Sequence, residues 1–185
     1  MAAPFASAQT IDFGGLTGFN GDDVVTYVED GFTVTDTTAS GLGWVEGQVF
    51  GNGVPSLFSN SAPASISVAN GGTFSFVSVD LADALASPTT IDFVIEGFLG
   101  GGTVFSDAGS FTGLSQTFAT VNSSSSADID LLTITFTDLT TSVSFNIDNI
   151  VLGDANSNPV PAPAALPAGI ALLGMLGFRR KNRAA

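Results

Sequence analysis

Hydrophobic and polar positions alternate in short runs from Thr10 to Asp154. Residues 74–80, 91–96, 129–136 and 143–148 alternate most regularly, and residues 24–28, 31–35 and 64–68 are short and rich in β-branched or aromatic side chains. A period of two places one face of a strand in a core and the other in water. Between these runs stand clusters of Asn, Asp, Gly and Ser at residues 20–22, 29–31, 52–53, 70–72, 100–102 and 123–126, the residues that close tight turns. No stretch in this region carries the 3.6-residue period of a soluble helix. The pattern predicts an all-β fold, an antiparallel sandwich of two layers.

The pattern stops after Asp154. Residues 155–163 are small, polar and proline-rich, the composition of an extended linker. Residues 164–178 are uncharged and apolar, and a basic cluster, Arg179, Arg180, Lys181 and Arg183, ends the chain. As a helix the apolar run spans roughly 22 Å, short of a hydrocarbon core of about 30 Å, a gap that snorkelling arginines and local thinning absorb. It is expected to be a short C-terminal transmembrane helix, with the basic residues as a cytoplasmic stop. At the other end, Ala6-Ser7-Ala8 fits the small-x-small end of a signal peptide without its charged and apolar regions, although an ordinary N-terminus would read the same way. The expected organisation is a signal remnant at 1–8, a sandwich at 9–154, a linker at 155–163, a span at 164–178 and a tail at 179–185.

Composition narrows the chemistry. There are no cysteines and no histidines, which excludes disulfides, thiolate metal sites and Ser-His-Asp catalysis. All 17 acidic residues precede Asn156, while all four basic ones lie in the tail. The body is therefore an acidic domain without an internal cation, expected to repel nucleic acid and anionic lipid. The 44% hydrophobic content and the 16 phenylalanines argue for a packed core and against disorder. No catalytic residue is assigned: Glu29, Glu46 and Glu96 are the glutamates available to a glycosidase, and the sequence does not bring them together. Trp44, the only tryptophan, and Tyr27, the only tyrosine, are the candidates for stacking on a sugar ring, with a core role as the alternative.

Val160-Pro161-Ala162-Pro163-Ala164, followed by the Gly/Ala/Leu-rich run and Arg179-Arg180-Lys181, resembles a PEP-CTERM sorting tail, nearest the form Val-Pro-Leu-Pro-Ala, with Ala162 in place of leucine. The resemblance covers about the last 26 residues. It implies export from a Gram-negative cell, a transient anchor in the cytoplasmic membrane, processing by an exosortase, and residence at the cell surface or in the extracellular matrix.

The body is similar to the sandwiches that precede such tails and to jelly-roll carbohydrate-binding modules, on phrases at residues 10–16, 29–34, 72–81 and 145–152. That likeness implies a jelly-roll β-sandwich. It also points to a structural calcium ion held by Asp12 in the first strand and Asp148 in the last, with Gly14 standing where related modules often carry an acid; the alternative is that both aspartates are polar positions of alternating strands. Calcium is held by six to eight oxygens, and the body has carboxylates in surplus. The expected function is that of an exported surface or matrix protein with a non-catalytic structural or adhesive sandwich. The alternative is a module that binds matrix polysaccharide; a glycoside hydrolase ranks third.

Overall fold

The computed structural model describes residues 8–16, 21–38, 44–46, 55–59, 63–83, 90–112, 117–137 and 144–154. Within them the chain forms strands and no helix, arranged as two antiparallel sheets face to face. The eight-stranded sheet runs β11 (Ala119–Asn122), β8 (Phe74–Asp83), β14 (Phe145–Asp154), β6 (Leu57–Ser59), β5 (Trp44–Glu46) and β2 (Asp23–Val24); β1 (Gln9–Ile11) pairs with β14, and β12 (Asp128–Ile129) with β8. The six-stranded sheet runs β10 (Gly102–Thr112), β9 (Thr90–Leu99), β13 (Leu131–Phe136), β7 (Ala64–Ala69), β4 (Phe32–Asp36) and β3 (Thr26–Glu29). From β6 to β9 each strand lies in the sheet opposite its predecessor. β13 then inserts between β9 and β7, and β14 between β8 and β6. This is the Greek-key wrapping of a jelly roll.

The expected alternation is visible in burial. β7 and β13 alternate buried and half-buried positions along their whole length, so Ile66, Val68, Leu132 and Ile134 enter the core. One row across the six-stranded sheet, Tyr27, Val34, Val68, Leu132, Gly97 and Phe105, faces inward. Rings from the other sheet pack on this inner face, Phe76 on Phe105 of that row and Phe145 on Phe136 further along β13, with centroids 6.2 and 4.1 Å apart. Two hairpins close as the sequence demands. Gly100 and Gly101, between β9 and β10, have φ of 58° and 82°; Asp30 and Gly31, between β3 and β4, have 49° and 83°. Positive φ at both central residues is the turn whose twist matches that of the flanking strands.

Two expected strands are each divided. Residues 24–28 read as one strand, yet β2 and β3 belong to different sheets. Val25 lies between them, its carbonyl accepting the Asp36 N–H at 3.0 Å. Residues 129–136 are interrupted at Asp130, whose N–H donates to the Phe98 carbonyl at 2.8 Å while its Oδ2 accepts the Gly100 N–H at 2.7 Å. Among the described residues no helix is long and apolar enough to cross a membrane. The expected span at 164–178, the sorting motif at 160–164, the basic stop at 179–183 and residues 1–7 of the signal remnant lie outside the described residues.

Candidate functional site

Where the first strand leaves the sheet, the chain is fastened by acidic side chains. β1 pairs with β14 through Ile11 and Ile150, so Asp12 emerges one step from the end of that ladder. Asp12 Oδ1 accepts the Gly14 N–H at 2.8 Å, starting a turn that places Phe13 at φ 57°. That left-handed conformation is costly for a side chain with a Cβ. It is held from β3: Glu29 Oε2 accepts the N–H groups of both Asp12 and Phe13 at 3.0 and 3.1 Å, and the Tyr27 hydroxyl accepts the Gly15 N–H at 3.1 Å. The Phe13 ring, buried, packs against Tyr27 at 5.3 Å.

The other half of this cluster comes from a bulge in β14. Asp148 stands opposite Asp80 of β8, and the register then slips between Asp148 and Val151. In the slip Asn149 adopts φ 46°, its N–H donating to Asp148 Oδ1 at 2.8 Å and its Nδ2 to Asp80 Oδ2 at 2.9 Å. Thr120 Oγ1 donates to the second Asp80 oxygen at 2.6 Å. Asp148 is 1% exposed. Burial lifts its pKa to about 6 against the pull of the Asn149 amide, and the charges of Asp80, Asp12 and Glu29 add to the rise. Burial also raises Glu29 and Tyr27 above their ordinary values, opposed by the backbone N–H groups that each accepts.

The structure thus brings Asp12 and Asp148 into one electrostatic cluster, and adds Glu29, Asp80 and Asn149, which sequence reasoning had not joined to them. Among the described residues no group of three or more carboxylates is placed to hold a metal ion. Asp12 Oδ1, Glu29 Oε2, Asp148 Oδ1 and both Asp80 oxygens accept hydrogen bonds from backbone amides, Asn149 and Thr120. The cluster fastens the chain after β1 to β3 and binds β14 to β8.

The other expected positions separate. Trp44 is 1% exposed, packed against Phe136 and Phe145 at 5.8 and 5.4 Å, with Nε1 donating to the Ser65 carbonyl at 3.2 Å. It offers no face to a sugar ring, which corrects the stacking role; the core role is the one realised. Tyr27 is half-buried, with its hydroxyl and ring occupied by Gly15 and Phe13. The three glutamates lie apart on the fold. Glu29 is in the cluster, Glu46 is buried on the same side of β5 as Trp44, and Glu96 lies on the outer face of β9.

An open groove of about 370 Å³ lies over β8, lined by Ser75, Phe76, Val77 and the serines 123–126. Ser123 begins the loop by donating its N–H to the Val77 carbonyl at 2.8 Å. Its Oγ donates to the Ser125 carbonyl at 2.8 Å, and the Ser125 Oγ accepts the Ala127 N–H at 3.2 Å. Ser124 reaches across to β10, with its N–H on Asp107 Oδ2 at 3.0 Å and its hydroxyl on the other oxygen. Val77, 43% exposed, supplies an apolar patch between the hydroxyls.

No protein-family model matches the chain. No curated protein matches it in sequence. Solved structures with a similar fold include the K1 cleaved adhesin domain of Lys-gingipain from Porphyromonas gingivalis, at 12% identity and a TM-score of 0.47 over 81% of this chain and 99% of that one. The CBM32 of AlyQ in complex with 4,5-unsaturated mannuronic acid has 16% identity and a TM-score of 0.43 over 69% and 96%. The family 32 carbohydrate-binding module of C. perfringens NanJ in complex with galactose is similar at 15% identity and a TM-score of 0.47, over 69% of this chain and 98% of that one.

Proposed function

We propose that this chain is an exported, non-catalytic β-sandwich that binds carbohydrate at the cell surface or in the extracellular matrix. The groove at Ser75, Val77 and Ser123–Ser126 carries the binding reading. Its volume falls at the small end of ligand clefts, which run from roughly 300 to 1,000 Å³. Serine hydroxyls beside an exposed aliphatic side chain match the hydroxyls and C–H faces of a sugar, with Ser123 and Ser124 serving as acceptors because their protons are given to Ser125 and Asp107. None of the residues that line the groove is cationic, which favours a neutral sugar over an anionic one. The non-catalytic reading is supported by the carboxylate cluster, whose hydrogen bonds tie strands together.

Export rests on the tail. Val160 to Ala164, the apolar run and the basic stop are read as the signal handled by an exosortase, leaving the acidic body outside the membrane. Binding is tested by presenting the full chain in mild detergent to an array of neutral and acidic oligosaccharides, alongside Val77→Lys, which fills and charges the groove. Binding to neutral sugars that falls at least tenfold in Val77→Lys is the expected result. No binding by the wild type to any sugar would overturn the reading. For the tail, neutralising Arg179, Arg180 and Lys181 together is expected to abolish retention and processing in a cell that carries the sorting enzyme; unchanged processing would remove export by this route.

A further inference from the structure

On the side of the six-stranded sheet opposite the core, the register lines up a second row. Thr26 stands beside Thr35, Thr35 beside Ser67, Ser67 beside Thr133, Thr133 beside Glu96 and Glu96 beside Ser106. These positions alternate with the buried ones along each strand, so all six look outward, from half-buried in the middle strands to exposed at Thr26 and Ser106. Strands are spaced about 4.8 Å apart, so the row extends roughly 24 Å across the sheet. The next row is also uncharged, with hydroxyls in β7 and β13 and small apolar side chains in β9 and β10. Ser65 Oγ and Thr135 Oγ1 are hydrogen-bonded at 2.9 Å, and Val94 and Ala108 continue the line across β9 and β10.

The solvent face of a protein ordinarily carries about a quarter to a third charged side chains. Here Glu96 is the one charge in two adjacent rows. Hydroxyls held by a β-ladder are ordered before a ligand arrives, and they cost less to dehydrate than lysines or glutamates would. Each both donates and accepts, which suits a partner that also does both. Among the described residues this face holds the carboxylates of Glu96 and Asp92 and no cation, so it repels an acidic polymer and leaves a neutral one unopposed.

We propose that this outer face is an adsorption surface for a neutral, hydroxyl-rich polysaccharide laid across the strands, distinct from the groove over β8, which takes a short sugar. The inference rests on the carbohydrate-binding reading and assigns it a second, extended surface.

The test uses the full chain in mild detergent and affinity gel electrophoresis through xyloglucan or galactomannan, both neutral, and alginate, an acidic polymer. The triple variant Thr35→Val, Ser67→Ala, Thr133→Val removes three hydroxyls while keeping β-forming side chains at the two threonine positions. Ser67→Lys puts one long cation in the middle of the row. Wild type is expected to be retarded by a neutral polymer and not by alginate. Both variants should lose at least tenfold in that retardation while keeping wild-type melting curves and oligosaccharide binding in the groove. Ser67→Lys should also gain retardation by alginate. If either variant melts normally and is retarded like wild type, the face is not the surface and the inference fails, while groove binding still supports the broader reading. If wild type binds neither polymers nor oligosaccharides, the broader reading fails with it.

Discussion

The ring of Phe105 covers Gly97 so closely that a Cβ on Gly97 would stand 2.1 Å from Phe105 Cε1 and 2.7 Å from Ile129 Cγ2. The two residues are partners across the β9–β10 ladder, and the bulge between Thr103 and Phe105 brings the ring over the glycine and onto Phe76. Glycine at 97 is thus a space requirement of the core. Gly97→Ala is expected to destabilise the sandwich by about 2 kcal/mol or more, the usual cost of overpacking. Gly72→Ala, where the nearest outside atom is 3.6 Å away, is the comparison. Urea unfolding of both variants decides it: equal midpoints would mean that Phe105 can leave the glycine at no cost.

Glu29 holds Asp12 and Phe13 through one oxygen, so shape and charge at this position separate cleanly. Glu29→Ala removes the acceptor for two N–H groups and releases a left-handed phenylalanine, and is expected to cost about 1–2 kcal/mol. Glu29→Gln keeps an acceptor oxygen and removes a charge facing Asp12, and should cost less than half as much. Amide hydrogen exchange at Asp12 and Phe13 gives the local readout: faster in Glu29→Ala, close to wild type in Glu29→Gln. Equal losses in the two variants would show that charge, not acceptance, fastens this turn.

Asp148 fixes the sign of the pH dependence. Its folded pKa, about 6, lies above the ordinary carboxylate value of 3.8, so the folded state holds a proton that the unfolded chain has released. Stability from this group is complete below about pH 4, falls as pH rises through 4 to 6, and is gone above that, a difference of at most about 3 kcal/mol. In chelator, the melting temperature should fall across this window, and Asp148→Asn should flatten the fall and melt higher than wild type at pH 7.5. Asp92→Asn, at an exposed position, controls for the general relief of negative charge. A flat profile in wild type would remove the electrostatic account. A calcium-dependent rise at pH 7.5 that Asp148→Asn abolishes would assign the balancing charge to the cation instead of a proton.

Trp44 is a built-in reporter of the core. Being the only tryptophan and packed between Phe136 and Phe145, it should emit as a buried indole and resist iodide quenching. Saturating oligosaccharide should leave its emission unchanged. Strong quenching by iodide, or a large change on adding sugar, would place the ring at a surface. Trp44→Ala should cost about 3–5 kcal/mol, the range for emptying an aromatic core site.

The regular alternation of residues 74–80, 91–96 and 131–136 was enough to find the strands that form the middle of the sandwich, and Asp30-Gly31 and Gly100-Gly101 marked two of its hairpins. What escaped was β10. Gly102, Gly109, Ser106 and Ser110 make it a poor strand in isolation, and its eleven residues are extended because β9 offers a partner along their length. β11 was missed for the same reason: Ala119–Asn122 is four residues long and depends on β8. The division at Val25 was equally illegible, since five β-forming residues in a row give no sign that the chain changes sheets. Of the acidic cluster, Asp12 and Asp148 could be chosen only through the likeness to calcium-binding jelly rolls, which pairs an acid near the first strand with one in the last. Asp80 looked like one more polar position of an alternating strand, and Glu29 like part of a turn. Only the Asp148–Asp80 register and the slip at Asn149 bring them together.

The placement of β14 bears on how the chain can be made. This strand, the last of those described, lies inside the eight-stranded sheet, with β8 on one side and β6 and β1 on the other. A nascent chain that has reached residue 140 owns both halves of that sheet and lacks the strand between them. Completion waits for residue 154, and every pairing that β14 makes except the one with β8 closes a loop of more than eighty residues. Such long-range closure is slow. The eight-stranded sheet therefore stays open until its last strand has been made, and until then the facing edges of β8, β6 and β1 lie unpaired and exposed to proteases.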